Sequence, residues 1–280
     1  MVNHCGRFVW YDLITTDTEA AEAFYTDVLG WGAQDISTPG RAYILFAVGQ
    51  ALVCGLTQQP EDATKLGAKP RWLGYIEVED VDATADRIKQ LGGAVHVPPT
   101  DFFDVSRFAV VADPQAASFG LIHWLRPGRV LPAGPETSGG VGWHELLAAD
   151  REGALDFYGA LFGWERADTK VGPMGTYQLI SAGERLIGGM VTKPRKVSVP
   201  AWVYYFNVAD IDAAAKKVKA GGGQVLGDPI EVLDGSWILQ CLDPQDAIFA
   251  LAGKRKYKTI IHLEPFASRE PSDVRPRGRK

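Results

Sequence analysis

Cysteine is scarce in this 280-residue chain: three residues, Cys5, Cys54 and Cys241, odd in number and without CxxC spacing. That excludes a disulfide framework and a cysteine zinc site, and it suits a reducing compartment. A basic excess is also missing. The formal net charge of −5 argues against a chain that coats nucleic acid or an anionic membrane. The start, MVNHCGRFVWYD, has no basic segment running into an apolar one, so no secretory leader is expected. The longest apolar stretch, Ala42 to Leu56, is broken by Gly49 and Gln50 and falls short of the ~18 residues a membrane helix needs. No GxGxxG or P-loop follows a strand pattern, and no Gly-x-Ser-x-Gly elbow exists on which to build a hydrolase triad. What remains, at 46% apolar and 22% charged, is globular composition with length enough for two domains. The expectation is a soluble cytoplasmic protein.

What is present is a repeat. Asp17…Phe24-Tyr25…Leu29-Gly30-Trp31 returns as Asp150…Phe157-Tyr158…Phe162-Gly163-Trp164, an offset of 133. Later landmarks return at an offset of 130: Trp72 with Trp202, Asp80 with Asp210, Gly92-Gly93 with Gly222-Gly223, and Asp113-Pro114-Gln115 with Asp243-Pro244-Gln245. Register held over a hundred residues marks a tandem duplication. The boundaries expected from it are a first domain at 1–126, a proline- and glycine-rich linker at 127–140, a second domain at 141–253 and a basic tail at 254–280. Each copy is long enough for its own core, so two separate cores are expected.

Within a copy the pattern alternates short strands with single helices. Phe8 to Thr15 reads as a strand, and Thr16 with Glu19 reads as a capping box. Ala21, Phe24, Tyr25, Val28 and Leu29 then share one helical face that stops at Gly30. Three β-rich runs follow, and the series begins again at Leu73. The fold class expected is α+β, two βαβββ units per copy, each pair forming a curved sheet cup.

A βαβββ unit whose first strand runs into D-x₆-F-Y-x₃-L-G-W resembles the vicinal-oxygen-chelate superfamily, which includes glyoxalases, bleomycin-resistance proteins and extradiol dioxygenases. The resemblance covers about residues 7–125 and 141–253 and implies a cup that holds metal and ligand. It also implies ligand positions seven residues before the helix-starting Asp and seven after the Asp of the Asp-Pro turn. Here those positions hold Trp10, Trp143, Leu73, Val203, Gly120 and Ala250, none of which suits a divalent cation. No metal and no other cofactor is therefore expected. The five histidines do not recur between copies, and His144, next to Trp143, should face away from the cup.

Other residues do recur on the cup face. Asp12 lies two after Trp10 and Glu145 two after Trp143, so each acid shares a face with its indole. Tyr75 and Tyr205 occupy equivalent places on the facing unit, followed two residues on by Glu77 and Asn207. These eight residues are the expected ligand site, and an aromatic or apolar small molecule carrying an amine or hydroxyl would suit it. The alternative is that the rings are core and the acids hold backbone amides. Arg107 could meet an anionic ligand; its counterpart is Trp237. At the level of function, a binding or sequestering protein leads. A glyoxalase-, isomerase- or hydroxylase-type enzyme and an interaction module with filled cups stay open. A homodimer also stays open. The tail carries nine Lys and Arg against three acids, and its contact with nucleic acid is not expected.

Overall fold

Four helices begin at an aspartate, and this punctuation sets the architecture. In the computed structural model, which describes residues 5–40, 42–126, 133–172, 175–195, 197–232 and 235–255, the first copy opens with β1 (Phe8–Thr15) and α1 (Thr18–Leu29). It continues with β2 (Gly32–Asp35), β3 (Tyr43–Val48), β4 (Ala51–Gln58) and a short α2 (Glu61–Lys65). Its second unit is β5 (Arg71–Glu77), α3 (Val81–Gln90), β6 (Ala94–Phe102), β7 (Ser106–Ala112) and β8 (Ser118–Trp124). The second copy repeats the plan with β9 (Val141–Ala148), α4 (Arg151–Phe162), β10 (Glu165–Gly172), β11 (Gly175–Ala182) and β12 (Arg185–Thr192). Its last unit is β13 (Ala201–Val208), α5 (Ile211–Ala220), β14 (Gln224–Val225), β15 (Ile230–Glu231), β16 (Trp237–Leu242) and β17 (Ile248–Gly253).

The cap of α1 is Asp17, whose carboxylate accepts from the Ala20 amide at 3.0 Å, one residue beyond the expected Thr16. An ionised acceptor at the positive end of the helix outcompetes a hydroxyl there. Asp80, Asp150 and Asp210 cap α3, α4 and α5 in the same way. Gly30 and Gly163 close α1 and α4 with φ of 72° and 69°, a left-handed turn that favours glycine. No helix among the described residues is long and apolar enough to cross a membrane.

Each copy forms one sheet, in the order β2-β3-β4-β1-β5-β8-β7-β6 and, in the second copy, β10-β11-β12-β9-β13-β17-β16-β14. The two units of a copy join where β1 runs antiparallel to β5, and β9 to β13. Each sheet therefore has a concave face and a helix-bearing face.

The helix-bearing faces do not form two cores. Buried residues from both copies make one continuous cluster, with Tyr11, Phe24, Tyr25, Trp31 and Trp72 packed with Tyr158, Trp164, Trp202, Tyr204 and Phe206. This corrects the expectation of separate cores: one face of each sheet curls into a cup, so the other must be covered by the neighbouring copy. The landmarks of the repeat are what fasten the copies together. Trp72 Nε1 donates to the Tyr25 hydroxyl at 2.9 Å, which donates to Asp243 Oδ2 of the other copy at 3.0 Å. Trp202 Nε1, Tyr158 and Asp113 form the reciprocal chain at 3.0 and 3.2 Å. The other oxygen of each aspartate accepts two amides of its own Asp-Pro-Gln turn. Trp31 reaches the Gly139 carbonyl at 2.9 Å and Trp164 the Gly6 carbonyl at 2.6 Å.

On the pseudo-twofold axis, equivalent positions meet each other. Tyr11 and His144 lie 133 apart in sequence and 2.6 Å apart between Oη and Nε2. The Gly74 amide donates to the hydroxyl of Tyr204, 130 residues on, at 2.7 Å. A Cβ on Gly74 would lie 2.6 Å from the Tyr204 ring, so one copy supplies the ring and the other leaves room for it.

Part of the expected linker is also fastened. The Ala133 amide donates to the Leu52 carbonyl at 2.7 Å, and Gly139 and Gly140 pair with the backbone of Asn207. Residues 127–132 of that linker, and 256–280 of the expected tail, lie outside the described residues.

Candidate functional site in the sheet cups

Strand alternation aims Trp10, Asp12 and Ile14 of β1 into the first cup, while Tyr11 and Leu13 enter the shared core. A register slip between Phe8 and Trp10 lets Phe8 turn to the core, where it stacks on His144 at 4.4 Å. Leu73 and Tyr75 come from β5, Val110 from β7 and Ile122 from β8, making an apolar cluster distinct from the main core. Phe108, Trp124, Leu45 and Leu52 extend it and stay partly exposed.

Asp12 is buried at the centre, 8% exposed. Its Oδ1 accepts from Trp10 Nε1 at 3.0 Å and from the Tyr43 hydroxyl at 2.7 Å. The Tyr75 hydroxyl and the Gly55 amide also donate to the carboxyl. Burial raises its pKa, and these four donors pull it back. The two phenols are themselves held well above their ordinary range, first by burial and then by the Asp12 charge. While donating to the carboxylate, the Tyr43 oxygen also accepts from Trp10 Nε1 at 3.2 Å, and a phenol oxygen has two lone pairs, so each keeps acceptor capacity. Two glycines make this packing possible. A Cβ at Gly55 would collide with Tyr43 and Asp12, and one at Gly120 would lie inside the Tyr75 ring. Gly120→Ala should therefore cost roughly 1–3 kcal/mol of fold stability by overpacking, read from chemical denaturation; an unchanged midpoint would show that Tyr75 shifts freely.

The second cup repeats the set. Trp143 donates to the Tyr177 hydroxyl at 2.8 Å. Glu145, 4% exposed, accepts from Tyr205, Tyr177 and Gln240, the last at 3.2 Å, and burial again raises its pKa. Leu147, Val191, Val203, Ile238 and Ile248 surround these groups, an aliphatic lining where the first cup is aromatic.

The structure thus brings together Trp10, Asp12 and Tyr75 in one cup and Trp143, Glu145 and Tyr205 in the other. It places Glu77 and Asn207 elsewhere. Glu77 shares a groove with Cys5, Glu79 and Asp80 beyond the end of β5. The Asn207 amide is committed to the linker, donating to the carbonyls of Pro135 at 2.6 Å and Thr137 at 3.2 Å. Arg107 does not await an anion: it grips Asp82 through two nitrogens at 2.6 and 2.9 Å and Asp101 at 2.7 Å. Tyr43, Tyr177 and Gln240 are site residues that sequence reasoning missed. The signal for the tyrosines was present, since Tyr43, Leu45 and Gly49 return as Tyr177, Leu179 and Gly183, an offset of 134.

The family model for the glyoxalase/bleomycin resistance protein/dioxygenase superfamily matches residues 2–118 and 140–249. The chain belongs to that superfamily. Among curated relatives, it is 34% identical over 244 residues to the provisionally named glyoxylase CFP32 of Mycobacterium bovis, covering 86% of this chain and 92% of that protein. It is 31% identical over 274 residues to the anthracycline biosynthesis protein DauV of Streptomyces sp. strain C5, covering 90% and 94%. Its fold is that of the 2,3-dioxygenase LapB from Pseudomonas sp. KL28, with a TM-score of 0.61 at 13% identity, covering 96% of this chain and 98% of LapB. It is also that of a Mn(II)-bound glyoxalase from Novosphingobium aromaticivorans, with a TM-score of 0.60 at 15% identity, covering 89% and 82%.

A superfamily that includes such proteins implies a divalent metal, and the residues of this member do not fit one. Trp10 and Trp143 offer only N–H groups, and Leu73, Val203 and Ala250 offer nothing. Gly120 lies under the Tyr75 ring, so a carboxylate could stand there only by expelling the ring. Each cup has a single carboxylate ringed by donors, and among the described residues no three His, Cys, Asp or Glu side chains gather as a metal site.

Proposed function

We propose that this superfamily member is a cytoplasmic binding or sequestering protein that holds a small aromatic or apolar molecule in a cup without a metal. The observation that carries the reading is the recurrence, in both copies, of one buried carboxylate held by two phenols and paired with an indole on an apolar concave face. A carboxylate that accepts the phenol hydrogen bonds leaves the phenol oxygens able to accept from a ligand donor, so the ligand is one with a hydroxyl or amine on an apolar body. The name of the Streptomyces relative points toward aromatic chemistry as well. Two buried cysteines without disulfides suit a reducing compartment. The reading involves neither nucleic acid nor a membrane.

Asp12→Asn and Glu145→Gln test it. An amide turns an N–H toward one phenol, which must then accept rather than donate, and that phenol is lost to the ligand. Affinity for an aromatic alcohol should fall by roughly 1–3 kcal/mol per affected cup, the scale of a hydrogen bond to a charged group. Protein dialysed against a chelator should bind as before. A loss of fold stability with unchanged affinity per folded molecule would instead make the acids structural. Affinity abolished by the chelator would remove the metal-free reading.

A further inference from the structure

The first cup carries a feature that the second does not match. β3 and β6 stand near opposite ends of the eight-stranded sheet, yet Tyr43 of β3 and Phe102 of β6 are in ring contact, with centroids 5.0 Å apart. Phe102 also meets Phe108 at 6.4 Å, and Phe108 meets Tyr75 at 6.2 Å. Tyr43 and Tyr75 are the phenols bound to Asp12, so the four rings close a circuit over the carboxylate. The rings lie as a roof over Asp12, which is 8% exposed; Glu145 is buried to 4% without them, so the circuit marks a route to the phenols and is not the cause of burial.

The roof hangs from a hairpin that is braced at its base and pinned at its tip. Arg107 ties Asp101, just before Phe102, to Asp82 of α3. Asp104 pairs with Arg126, and the Leu125 amide donates to the Val105 carbonyl at 2.9 Å. Between these braces Phe103 has a φ of 47° and its ring is 47% exposed, packed edge-on against Phe102 at 4.8 Å. Phe103 lies in the turn closed by the Val105 amide on the Phe102 carbonyl at 3.2 Å, and its positive φ places backbone strain beside Phe102. In the second copy the positions 130 residues after Phe102 and Phe108 hold Val232 and Ile238. The aromatic roof belongs to the first cup.

We infer that Phe102 is the gate of the first cup and that the ligand it admits is a planar aromatic alcohol. The inference rests on the binding reading above and adds which cup, which class of molecule and which residue controls access. Reaching the phenols on Asp12 requires Phe102 to leave Tyr43, and a flat ring can then take the place of the Phe102 face between the remaining rings. With the backbone held on both sides, at Asp101 by Arg107 and at Asp104 and Val105 by Arg126 and Leu125, the movement is one of the Phe102 side chain.

The probe is 2-naphthol, followed by stopped-flow quenching of the Trp10–Trp124 pair, which sits in the cup with centroids 6.2 Å apart. A Trp143→Phe background silences the indole of the other cup. Phe102→Ala should raise the association and dissociation rates together by about tenfold, with Kd moving less than about threefold, because a gate slows both directions alike. Phe102→Leu, which keeps apolar volume without a ring face, should fall between, and thermal unfolding of both variants verifies that they fold. Decahydro-2-naphthol, with the same hydroxyl and no flat face, should bind at least about tenfold more weakly than 2-naphthol. An unchanged association rate with faster dissociation would make Phe102 a wall and overturn the gate. Equal affinity for the two alcohols would overturn the planar class. If the unsubstituted protein binds neither alcohol saturably, the binding reading falls as well, an outcome distinct from either of the others.

Discussion

Expressed alone, residues 1–126 will not yield a folded monomer. The helix-bearing face of the first sheet ends in rings whose partners belong to the other copy: Tyr25 against Phe249 at 5.4 Å, Trp31 and Trp72 against Phe206 at 5.4 and 4.9 Å, and Phe119 against Tyr158 at 5.5 Å. At about 1.5–3 kcal/mol for each fully buried large side chain, four such rings hold up to roughly 6–12 kcal/mol, as much as a whole domain's stability. Asp113 would also lose the Tyr158 hydroxyl, and Tyr25 would lose Asp243. The fragment should be unfolded, or dimeric through the same face, because the pseudo-twofold axis makes that face nearly self-complementary. The dimer would be imperfect. Where Gly74 now receives the Tyr204 ring, a homodimer would set glycine against glycine and leave a void. Sedimentation velocity and a thermal melt decide the matter, and a monodisperse, cooperatively melting monomer would refute the shared core.

Acid should weaken the fold through His144, against the sign of the buried carboxylates. Nδ1 of His144 lies 2.6 Å from the Ile187 carbonyl, which can only accept, so Nδ1 carries the proton and Nε2 accepts from the Tyr11 hydroxyl. The ring is neutral and buried, and its pKa is pushed down to about 4, by burial first. Unfolded, the same group titrates near 6.5. Above 6.5 neither state binds a proton and the full stability is present. Between 6.5 and 4 only the unfolded chain does, so stability falls as the pH falls. The integrated loss is about 3 kcal/mol. Asp12, Glu145, Asp113 and Asp243 act with the opposite sign, because their raised pKa values make the folded state the stronger proton binder. Comparison with His144→Gln separates the two. Denaturation midpoints taken from pH 7 to 4 should show a shallower decline in the variant, and parallel declines would remove His144 as the cause.

Much of the architecture was legible in the residues because it depends on short-range chemistry. Period-two alternation placed Trp10 with Asp12 and Trp143 with Glu145, and the returning Asp, Phe-Tyr and Gly-Trp landmarks exposed the duplication. Local reading stumbled where two neighbours compete for one role, as when Asp17 rather than Thr16 caps α1. Alternation also assigned Glu77 and Asn207 to the cups. It could not register that irregularities at Phe8–Trp10 of β1 and at Val141–Trp143 of β9, opposite Tyr205–Phe206, break the clean register of the two pairings, or that the linker would return to claim the Asn207 amide.

What the tertiary structure alone decided lies in contacts between residues far apart in the chain. Tyr25 and Asp243 are separated by 218 positions, and Trp164 finds the Gly6 carbonyl across 158. No periodicity announces such pairs, because each residue satisfies its local pattern equally well with or without the partner. The same holds for the roof over Asp12. Tyr43, Tyr75, Phe102 and Phe108 are ordinary strand aromatics until the curl of the sheet brings its two ends together. Sheet curvature is a collective property of eight strands and their twist, so the sequence could name the carboxylate and the indole, while only the curled sheet could set the rings over them.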